Sequence, residues 1–331
     1  MSLPDFQLLR PKTLTEAVAR LAENPGETQI IAGGTDLIPS MRQRLFTPRY
    51  LLDIRGIPEL HGIRQTAEGL EIGALTPLTV VEHNEILRHD YHVLAEAAGT
   101  VASPLLRNMG TIGGNICLDT RCLWYNQSLT WRKSCGFCIK KDGDLCHVAP
   151  GGKECWAAFS ADTPPALLCL EAEIEIAGPK GTRRILLSDF YTNRGDERTR
   201  LANDEILTRV FLPRATSGYR GTYRKLRVRG SIDYPLAGIA VAFKAANGHV
   251  EDPRIAITAV NPAPLVVGGV KEKLNGKTLT TEVAEAAGAL AARTARPLTT
   301  SALTPEYRRE MVRVLTKRAL LDLAAPERKR S

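Results

Sequence analysis

Two glycine-rich segments constrain the fold of this 331-residue chain more than any other feature of its sequence. The first is Ile30-Ile31-Ala32-Gly33-Gly34-Thr35-Asp36, in which an apolar run predicts a short buried strand that enters a turn. The second, RNMGTIGGNIC at 107–117, contains Gly110, Gly113 and Gly114. Glycine reaches positive φ and lets backbone N–H groups approach an anion closely. Two such segments could hold the two phosphates of a dinucleotide, although either one alone is more often a tight turn.

Two common phosphate-binding motifs do not fit these segments. Neither segment has the G-x-G-x-x-G spacing, which disfavours a Rossmann site. The tripeptide that begins at Gly276 resembles the end of a P-loop, but Lys271 stands where the first glycine of that motif belongs. A nucleotide site, if built from the two glycine segments, therefore belongs to another fold.

Five of the seven cysteines fall between Arg121 and Cys155. They are Cys122, Cys135, Cys138, Cys146 and Cys155. The amino-terminal residues lack a signal-peptide pattern, so we expect a cytoplasmic protein, in which clustered cysteines more often bind metal than form disulfides. Structural zinc usually takes paired C-x2-C units, and the only such unit is Cys135 with Cys138. A [4Fe–4S] cluster also takes four thiolates, with looser spacing. Incidental clustering is the third alternative.

The charges near these cysteines also favour an iron–sulfur cluster. Between Arg121 and Cys155 six basic residues face three acidic ones, and a thiolate-bound iron–sulfur cluster is anionic. The bases are Arg121, Arg132, Lys133, Lys140, Lys141 and Lys153, and the acids are Asp142, Asp144 and Glu154. We treat this excess as supporting evidence, because an exposed loop is charged in any case.

Length and composition limit the classes of protein to which the chain can belong. A chain of 331 residues predicts two domains, and 44% apolar with 24% charged residues is typical of a globular protein. No apolar run approaches 18 residues, which argues against a membrane partner. The net charge of +8 is spread thinly and is not interleaved with aromatic residues, which argues against nucleic acid.

Local patterns predict a mixed, α+β chain without strict β-α-β alternation. Capping boxes at Thr13 and Thr79 predict the starts of two helices. Alternation from Leu168 to Ile176 predicts a half-buried strand, and Asn247-Gly248 predicts a hairpin turn. We expect a domain boundary near 217–221 and a frayed tail, ERKRS, at the carboxyl terminus.

The two glycine segments, with SADTPPALLCL at 160–170 and YRKLRVRGSIDYPLAGIAVA at 223–242, resemble the FAD-binding medium subunits of the molybdenum hydroxylases. This is the family of xanthine dehydrogenase and carbon monoxide dehydrogenase flavoproteins, and the similarity runs from Pro11 almost to the end of the chain. It implies a two-lobed FAD-binding fold of the vanillyl-alcohol-oxidase type over 1–216, with lobes of about 1–58 and 59–216. A smaller α+β domain would follow over 217–331.

The resemblance also implies which residues bind FAD. Ile30 to Asp36 would wrap the diphosphate, while Thr111, Gly114 and Asn115 would form the second phosphate and ribityl contact. Asp162 would hydrogen-bond the ribityl or adenosine side, and Leu207 and Lys225 would lie along the flavin. The full predicted set is Ile30, Ile31, Ala32, Gly33, Gly34, Thr35, Asp36, Val101, Gly110, Thr111, Gly113, Gly114, Asn115, Asp162, Leu207 and Lys225. Without the resemblance, Lys225 would be assigned to a solvent-facing basic stretch.

Within the family, residues 119–158 resemble an insertion in the β subunit of the 4-hydroxybenzoyl-CoA reductases, which carries an additional [4Fe–4S] cluster. This implies Cys122, Cys138, Cys146 and Cys155 as ligands, although spacing leaves Cys135 as a rival to Cys138. Cys117 and Cys169 would be core residues.

The same resemblance implies an electron-transfer subunit without catalytic acids or bases. It would take electrons from reduced ferredoxin and pass them to a [2Fe–2S] small subunit and a molybdopterin large subunit, in a dimer of heterotrimers. The alternatives are the FAD subunit of another molybdenum hydroxylase and a zinc-stabilised basic binding module.

Overall fold

The computed structural model describes residues 2–324 and contains three β-sheets that follow one another along the chain. The predicted ERKRS tail lies outside the described residues. The mixture of one parallel and two antiparallel sheets with helices confirms the α+β class. The proposed boundaries at residues 58 and 216 stay predictions.

The first sheet has three parallel strands in the order β1-β3-β2. Its elements in chain order are β1 (Gln7–Leu9), α1 (Leu14–Glu23), β2 (Thr28–Ile31), α2 (Leu37–Arg42) and β3 (Tyr50–Asp53). The predicted cap of α1 is confirmed, because Thr13 Oγ1 accepts a hydrogen bond from the Glu16 N–H at 3.2 Å. Ala17 and Leu21 of α1 pack on Leu52, which forms a small core for this lobe.

The second sheet has five antiparallel strands in the order β4-β5-β8-β6-β7. The strands are β4 (Ile63–Gln65), β5 (Gly69–Gly73), β6 (Glu173–Gly178), β7 (Gly181–Leu186) and β8 (Ile206–Pro213). Seven helices lie between β5 and β6: α3 (Leu78–His83), α4 (Glu85–Asp90), α5 (His92–Gly99), α6 (Pro104–Arg107), α7 (Ile112–Ile116), α8 (Leu129–Ser134) and α9 (Thr163–Cys169). The largest apolar core of the described residues lies between these helices and the sheet.

The third sheet has four antiparallel strands in the order β12-β11-β10-β9. Its elements are β9 (Arg220–Leu226), β10 (Ala237–Ala246), β11 (His249–Thr258), β12 (Leu265–Val266), α10 (Val270–Leu274), α11 (Thr281–Thr294) and α12 (Pro305–Ala324). The predicted hairpin is confirmed, because Asn247 and Gly248 both have positive φ and join β10 to β11. One face of this sheet contacts α5 and α9, and the other packs on α11 and α12.

The predicted strand from Leu168 to Ile176 is wrong over its first half. Thr163–Cys169 is helical, and Glu171 turns the chain at φ 51° before β6 begins at Glu173. Pro164 and Pro165 favour this helix, because proline fits the first turn, where its missing N–H has no partner to lose. Cys169 therefore lies on a helix and not on a strand.

The predicted capping box at Thr79 is also wrong, since α3 begins one residue earlier, after Pro77. The Leu78 N–H donates to Gly110 O at 2.9 Å, and Pro77 pairs with Thr111. A long-range contact with the second glycine segment therefore sets the start of this helix.

Across residues 2–324 the structure has no helix that is long and apolar enough to cross a membrane.

Candidate functional site

The two glycine segments contact each other directly. A Cβ atom placed on Gly33 would lie 1.9 Å from Met109 O, so only glycine fits at this contact. Gly34 has φ +70°, a conformation that other residues rarely adopt. Thr35 Oγ1 would lie 3.6 Å from a Cβ on Gly110. The structure thus joins the segments into one cradle, which we call the glycine cradle (30–36 with 110–115).

The second half of the glycine cradle is held by Thr111 and Asn115. Thr111 Oγ1 accepts a hydrogen bond from the Gly114 N–H at 3.1 Å and so caps α7. Asn115 Oδ1 accepts from the Thr163 N–H at 3.1 Å and from its hydroxyl at 2.6 Å. These bonds tie the cradle to the start of α9, next to Asp162.

Asp162 and Lys225 form a buried ion pair beside the glycine cradle. Lys225 Nζ donates to Asp162 Oδ2 at 2.9 Å and to Thr100 O at 3.0 Å, and the two side chains are 3% and 5% exposed. Burial raises the pKa of Asp162, while Lys225 and the hydrogen bond from the Tyr223 hydroxyl oppose that rise. A solvent-facing Lys225 is therefore wrong, and the ammonium lies next to the predicted cofactor residues.

Val101 and Leu207 are the two apolar residues of the predicted set outside the cradle. Leu207 is buried in β8, in the same core as Ile112 and Ile116 of α7. The Val101 carbonyl follows α5 and accepts a hydrogen bond from Arg107 Nη1 at 3.0 Å. Both residues border the helices that hold the cradle.

Asp36, the last residue of the first glycine segment, has two partners that sequence reasoning missed. Its carboxylate forms an ion pair with Arg121 and accepts a hydrogen bond from the Tyr234 hydroxyl at 3.0 Å. The Arg121 guanidinium also lies over the Tyr234 ring, 4.2 Å from its centroid. In the sequence, Arg121 is one of six basic residues between positions 121 and 155, and no local pattern connects residues 36, 121 and 234.

Four of the five clustered cysteines line a single narrow cavity. They are Cys122, Cys138, Cys146 and Cys155, the four implied by the family resemblance. Cys138, Cys146 and Cys155 are 8%, 5% and 5% exposed, and Cys122 is partly buried. Cys135 does not line the cavity, so the structure separates it from the other four. We call these four residues the cysteine cluster.

The cysteine cluster is closed by the segment that carries it and by a second loop. Arg121 and Ala158 exchange two backbone hydrogen bonds of 2.7 and 2.8 Å, which close the stem of the segment. Gly195, far along the chain, packs against Cys155, and its N–H donates to Cys155 O at 2.8 Å. The cavity is therefore lined by residues between Cys122 and Ala157, and the loop around Gly195 packs against Cys155 and Ala157, two of the lining residues.

Lys140 anchors the cluster to this framework. Its Nζ donates to Asp119 Oδ1 at 2.8 Å, to Gly195 O at 2.7 Å and to the Thr120 hydroxyl, and the side chain is 5% exposed. Burial by itself would raise the pKa of Asp119, but Lys140 and Arg198 bring it below its usual value. The Asp119 carboxylate is therefore ionised and paired with the ammonium that lines the cavity.

Comparison with known proteins connects the cradle to a family. Residues 4–215 match the family model described as the FAD binding domain in molybdopterin dehydrogenase, and residues 221–323 match the CO dehydrogenase flavoprotein C-terminal domain. The chain belongs to the FAD-binding medium subunits of the molybdenum hydroxylases. This membership also confirms the predicted two-part fold.

Individual relatives agree with this membership. The chain is 31% identical to the carbon monoxide dehydrogenase medium chain of Hydrogenophaga pseudoflava, over 96% of each chain. It is 36% identical to the FAD-binding subunit of an aldehyde oxidoreductase of Escherichia coli (strain K12), over 71% of this chain and 76% of that one. A structure of reconstituted CO dehydrogenase from Oligotropha carboxidovorans superposes with a TM-score of 0.81 at 29% identity, covering 99% of this chain and 100% of the other.

The cradle of this medium subunit fits the diphosphate of FAD. Gly33 allows the backbones of the two segments to meet in direct contact, and a buried Arg121 Nε has no hydrogen-bond partner in the structure. Backbone N–H groups of glycine-rich turns and an unpaired guanidinium donor are groups that bind phosphate.

We predict that Gly33→Ala abolishes FAD binding by this medium subunit. The new methyl group would meet Met109 O, a backbone atom, so the two halves of the cradle would have to separate. Flavin absorbance of the purified complex measures the loss. Gly230→Ala is the control, because nothing lies within 4 Å of the added atom there. Full flavin content in Gly33→Ala would show that the contact between the segments is dispensable.

Two thiols of the cysteine cluster are held in the protonated form by their surroundings. Burial raises the pKa of Cys155 to about 12 and also raises that of Cys122. Cys117, which is partly buried, and Cys169, which is buried, lie apart from the cluster, and burial raises their pKa values to about 11 and about 12. Binding of iron or zinc by the cluster would therefore release protons.

The cysteine cluster is not preformed around a single ion. Among residues 2–324, no group of three or more His, Cys, Asp or Glu side chains is arranged to hold a metal ion. The cavity is narrow, with a volume of about 10 Å³, so the four side chains would have to turn apart to admit a larger group.

The predicted excess of basic charge is smaller at the surface of this segment than in its sequence. Arg132 and Lys140 are buried in ion pairs with Asp142 and Asp119, and Arg121 is largely buried against Asp36. Since Asp142 is already paired, the remaining bases, Lys133, Lys141 and Lys153, outnumber the remaining acids, Asp144 and Glu154, by one. The internal ion pairs therefore consume most of the excess, and the surface of the segment offers an acidic partner little net positive charge.

Proposed function

We propose that this chain is the electron-transfer subunit of a molybdenum-dependent reductase of the 4-hydroxybenzoyl-CoA reductase type. The observation that supports it is the separation of Cys122, Cys138, Cys146 and Cys155, which line one cavity, from Cys135, which does not. The family alone supports an FAD-binding medium subunit. Four buried thiols beside that site add a second redox group to the proposal.

In this proposal FAD occupies the glycine cradle, and when bound it supplies electron transfer between partner groups. Backbone N–H groups of 33–36 and the capped turn at Thr111 bind the diphosphate, as bare backbone donors do in other phosphate sites. Lys225 places a buried positive charge beside the flavin, where it favours an anionic ring. Asp162 holds Lys225 in that position.

The four cysteines would hold a [4Fe–4S] cluster and not zinc. Tetrahedral zinc gathers four sulfurs at about 2.3 Å from one ion, and the described residues are not arranged around a single ion. A four-iron cluster holds its thiolates further apart, at the corners of a larger body. The narrow cavity must open for either group, so the preference for iron rests on electron transfer, which redox-silent zinc cannot support.

The proposed partners are a molybdopterin-containing large subunit and a [2Fe–2S] small subunit, in a dimer of heterotrimers, with reduced ferredoxin as the electron donor. The large subunit would remove the phenolic hydroxyl of 4-hydroxybenzoyl-CoA and release benzoyl-CoA. Since the charges left at the surface of the cysteine-rich segment are nearly balanced, ferredoxin recognition there depends mainly on other contacts.

A second candidate is the FAD subunit of an oxidising enzyme such as a carbon monoxide dehydrogenase. It is favoured by the 31% identity to the Hydrogenophaga pseudoflava medium chain over nearly the whole length. In that case the cysteine cluster would be empty or would serve stability alone.

Purification of the anaerobic complex with its partner subunits separates these candidates. Our proposal requires iron and sulfide beyond the content of the small subunit, and oxidation of reduced ferredoxin coupled to 4-hydroxybenzoyl-CoA. Carbon monoxide or aldehyde oxidation without additional iron would instead identify the second candidate. Stoichiometric zinc would identify the zinc-stabilised alternative.

Serine substitutions test the ligand set. We expect Cys122→Ser, Cys138→Ser, Cys146→Ser and Cys155→Ser each to lose the additional iron, because each removes one thiolate from the cavity. Cys135→Ser is the matched control and should keep the additional iron, since its side chain lies outside the cavity. Iron analysis and low-temperature electron paramagnetic resonance provide the readout. The reverse result for Cys135 and Cys138 would assign the ligand to Cys135.

A further inference from the structure

Arg121 lies at the junction of the two sites. Its main chain precedes Cys122 and pairs with Ala158 at the stem of the cysteine-rich segment. Its side chain reaches Asp36, at the end of the first glycine segment, and Tyr234, in the loop between β9 and β10. One residue therefore joins the cysteine cluster, the glycine cradle and the carboxyl-terminal domain.

The bonding of the Arg121 guanidinium is incomplete. Both of its hydrogen bonds in the structure, to Asp36 and to the Tyr234 hydroxyl, are made by Nη2. Its Nε is buried and has no hydrogen-bond partner. A buried N–H without an acceptor destabilises a fold, so it is tolerated most easily where a ligand supplies the acceptor.

The negative charges expected around the glycine cradle give the Arg121 guanidinium a second role. Asp36 places a carboxylate at the end of the segment proposed to wrap the FAD diphosphate, and two like charges repel each other there. Arg121 neutralises the carboxylate through their ion pair. Arginine has five N–H donors in a planar fork and often binds phosphate oxygens, so it can serve a carboxylate and a phosphate together.

We propose that Arg121 is a further FAD-binding residue, which neutralises Asp36 and donates its remaining N–H groups to the FAD diphosphate. The stem of the cysteine-rich segment is then part of the flavin site, and the two redox groups share one residue. This inference rests on the proposed position of FAD in the glycine cradle.

The test is the FAD affinity of the anaerobic complex after removal and titration of the cofactor. We expect Arg121→Gln to weaken FAD binding by about tenfold or more, and Arg121→Lys to weaken it less, because lysine keeps the charge but not the fork. Arg183→Gln is the control, since Arg183 is also ion-paired, with Glu205, but lies on β7 at the edge of the second sheet. Wild-type affinity in Arg121→Gln overturns the proposal.

Two measurements separate contact with FAD from a purely structural role. The ³¹P resonances of the bound diphosphate should shift in Arg121→Lys, which keeps the charge at this position and serves even where Arg121→Gln folds poorly. In an Asp36→Asn background, Arg121→Gln should still weaken FAD binding. Residue 36 carries no charge in this background, so the loss reflects the missing guanidinium donors and not an unpaired carboxylate. Full recovery in that double variant, or unshifted ³¹P resonances, overturns the direct contact.

Failure of this inference and failure of the proposed function are distinguishable. The additional iron of the complex tests the cysteine cluster, and FAD affinity tests Arg121. Arg121→Gln with intact iron and unchanged FAD affinity removes only the role of Arg121.

Discussion

Gly195→Ala is expected to abolish incorporation of the proposed iron–sulfur cluster while leaving FAD bound. A Cβ at this buried position would lie 2.7 Å from Ala157 N, 2.8 Å from Cys155 Sγ and 2.9 Å from Cys155 O. Two of these three atoms are backbone, so no side-chain rotation relieves the clash. The Gly195 carbonyl also accepts the hydrogen bond from Lys140, which anchors the cavity. The substitution therefore displaces Cys155 and weakens the hydrogen bond of Lys140, and both residues line the cavity.

Iron and flavin analysis of the purified complex measures this result. Gly151→Ala is the matched control, because Gly151 is exposed in the same cysteine-rich segment and has nothing within 4 Å of the added atom. Overpacking of this kind costs about 1–3 kcal/mol, which is small enough to leave the rest of the subunit folded. An unchanged iron content in Gly195→Ala would show that the packing of the loop around Gly195 on Cys155 is not needed for the metal site.

Lys225→Met is expected to destabilise the subunit by about 3–5 kcal/mol, because it leaves the Asp162 carboxylate buried and without its cation. Both side chains are almost fully enclosed, and the Tyr223 hydroxyl would remain as a side-chain donor to that carboxylate. Release of flavin fluorescence during urea titration gives the unfolding midpoint. We expect the midpoint to fall and flavin affinity to fall with it, since Lys225 lies beside the cradle.

A double variant separates the two effects. Asp162→Asn combined with Lys225→Met removes both charges, and the protein should regain most of the lost stability because no ion is then buried alone. Flavin affinity should stay weak if the ammonium acts on the cofactor. Additive losses in stability would contradict the buried ion pair, and recovery of flavin affinity would leave Lys225 with a structural role alone.

The sequence predicted those parts of the site that depend on short, local patterns of residues. The glycine cradle depends on residues whose backbone freedom is visible at Gly33, Gly34 and Gly110, and the cluster of thiols is visible in any count. What was missed involves contacts between distant positions, such as Asp36 with Arg121 and Cys155 with Gly195. A lone glycine between two charged residues gives no sign that it packs against a cysteine 40 positions away.

The errors in the fold have the same origin. Alternation at period two around Leu168 looked like a strand, but two prolines and the contact of α9 with α7 and the third sheet favour a helix. The six-to-three charge count around the cysteines overstates the charge at the surface, because sequence does not show which charges turn inward. Arg132 is fully buried and donates to the carbonyls of Gln43 and Arg44, so it docks the segment onto the first lobe instead of facing a partner.

The paired backbone at Arg121 and Ala158 brings the two ends of residues 122–157 side by side. A segment whose two ends lie side by side can be inserted or deleted as a unit, because a short turn could bridge the gap that its deletion leaves. An ancestral protein could thus have gained or lost the proposed iron–sulfur cluster in one step, with most of its nucleotide pocket unchanged. Arg121 lies where the segment joins the rest of the chain, so such an exchange would also have altered the contact with FAD that we propose for Arg121.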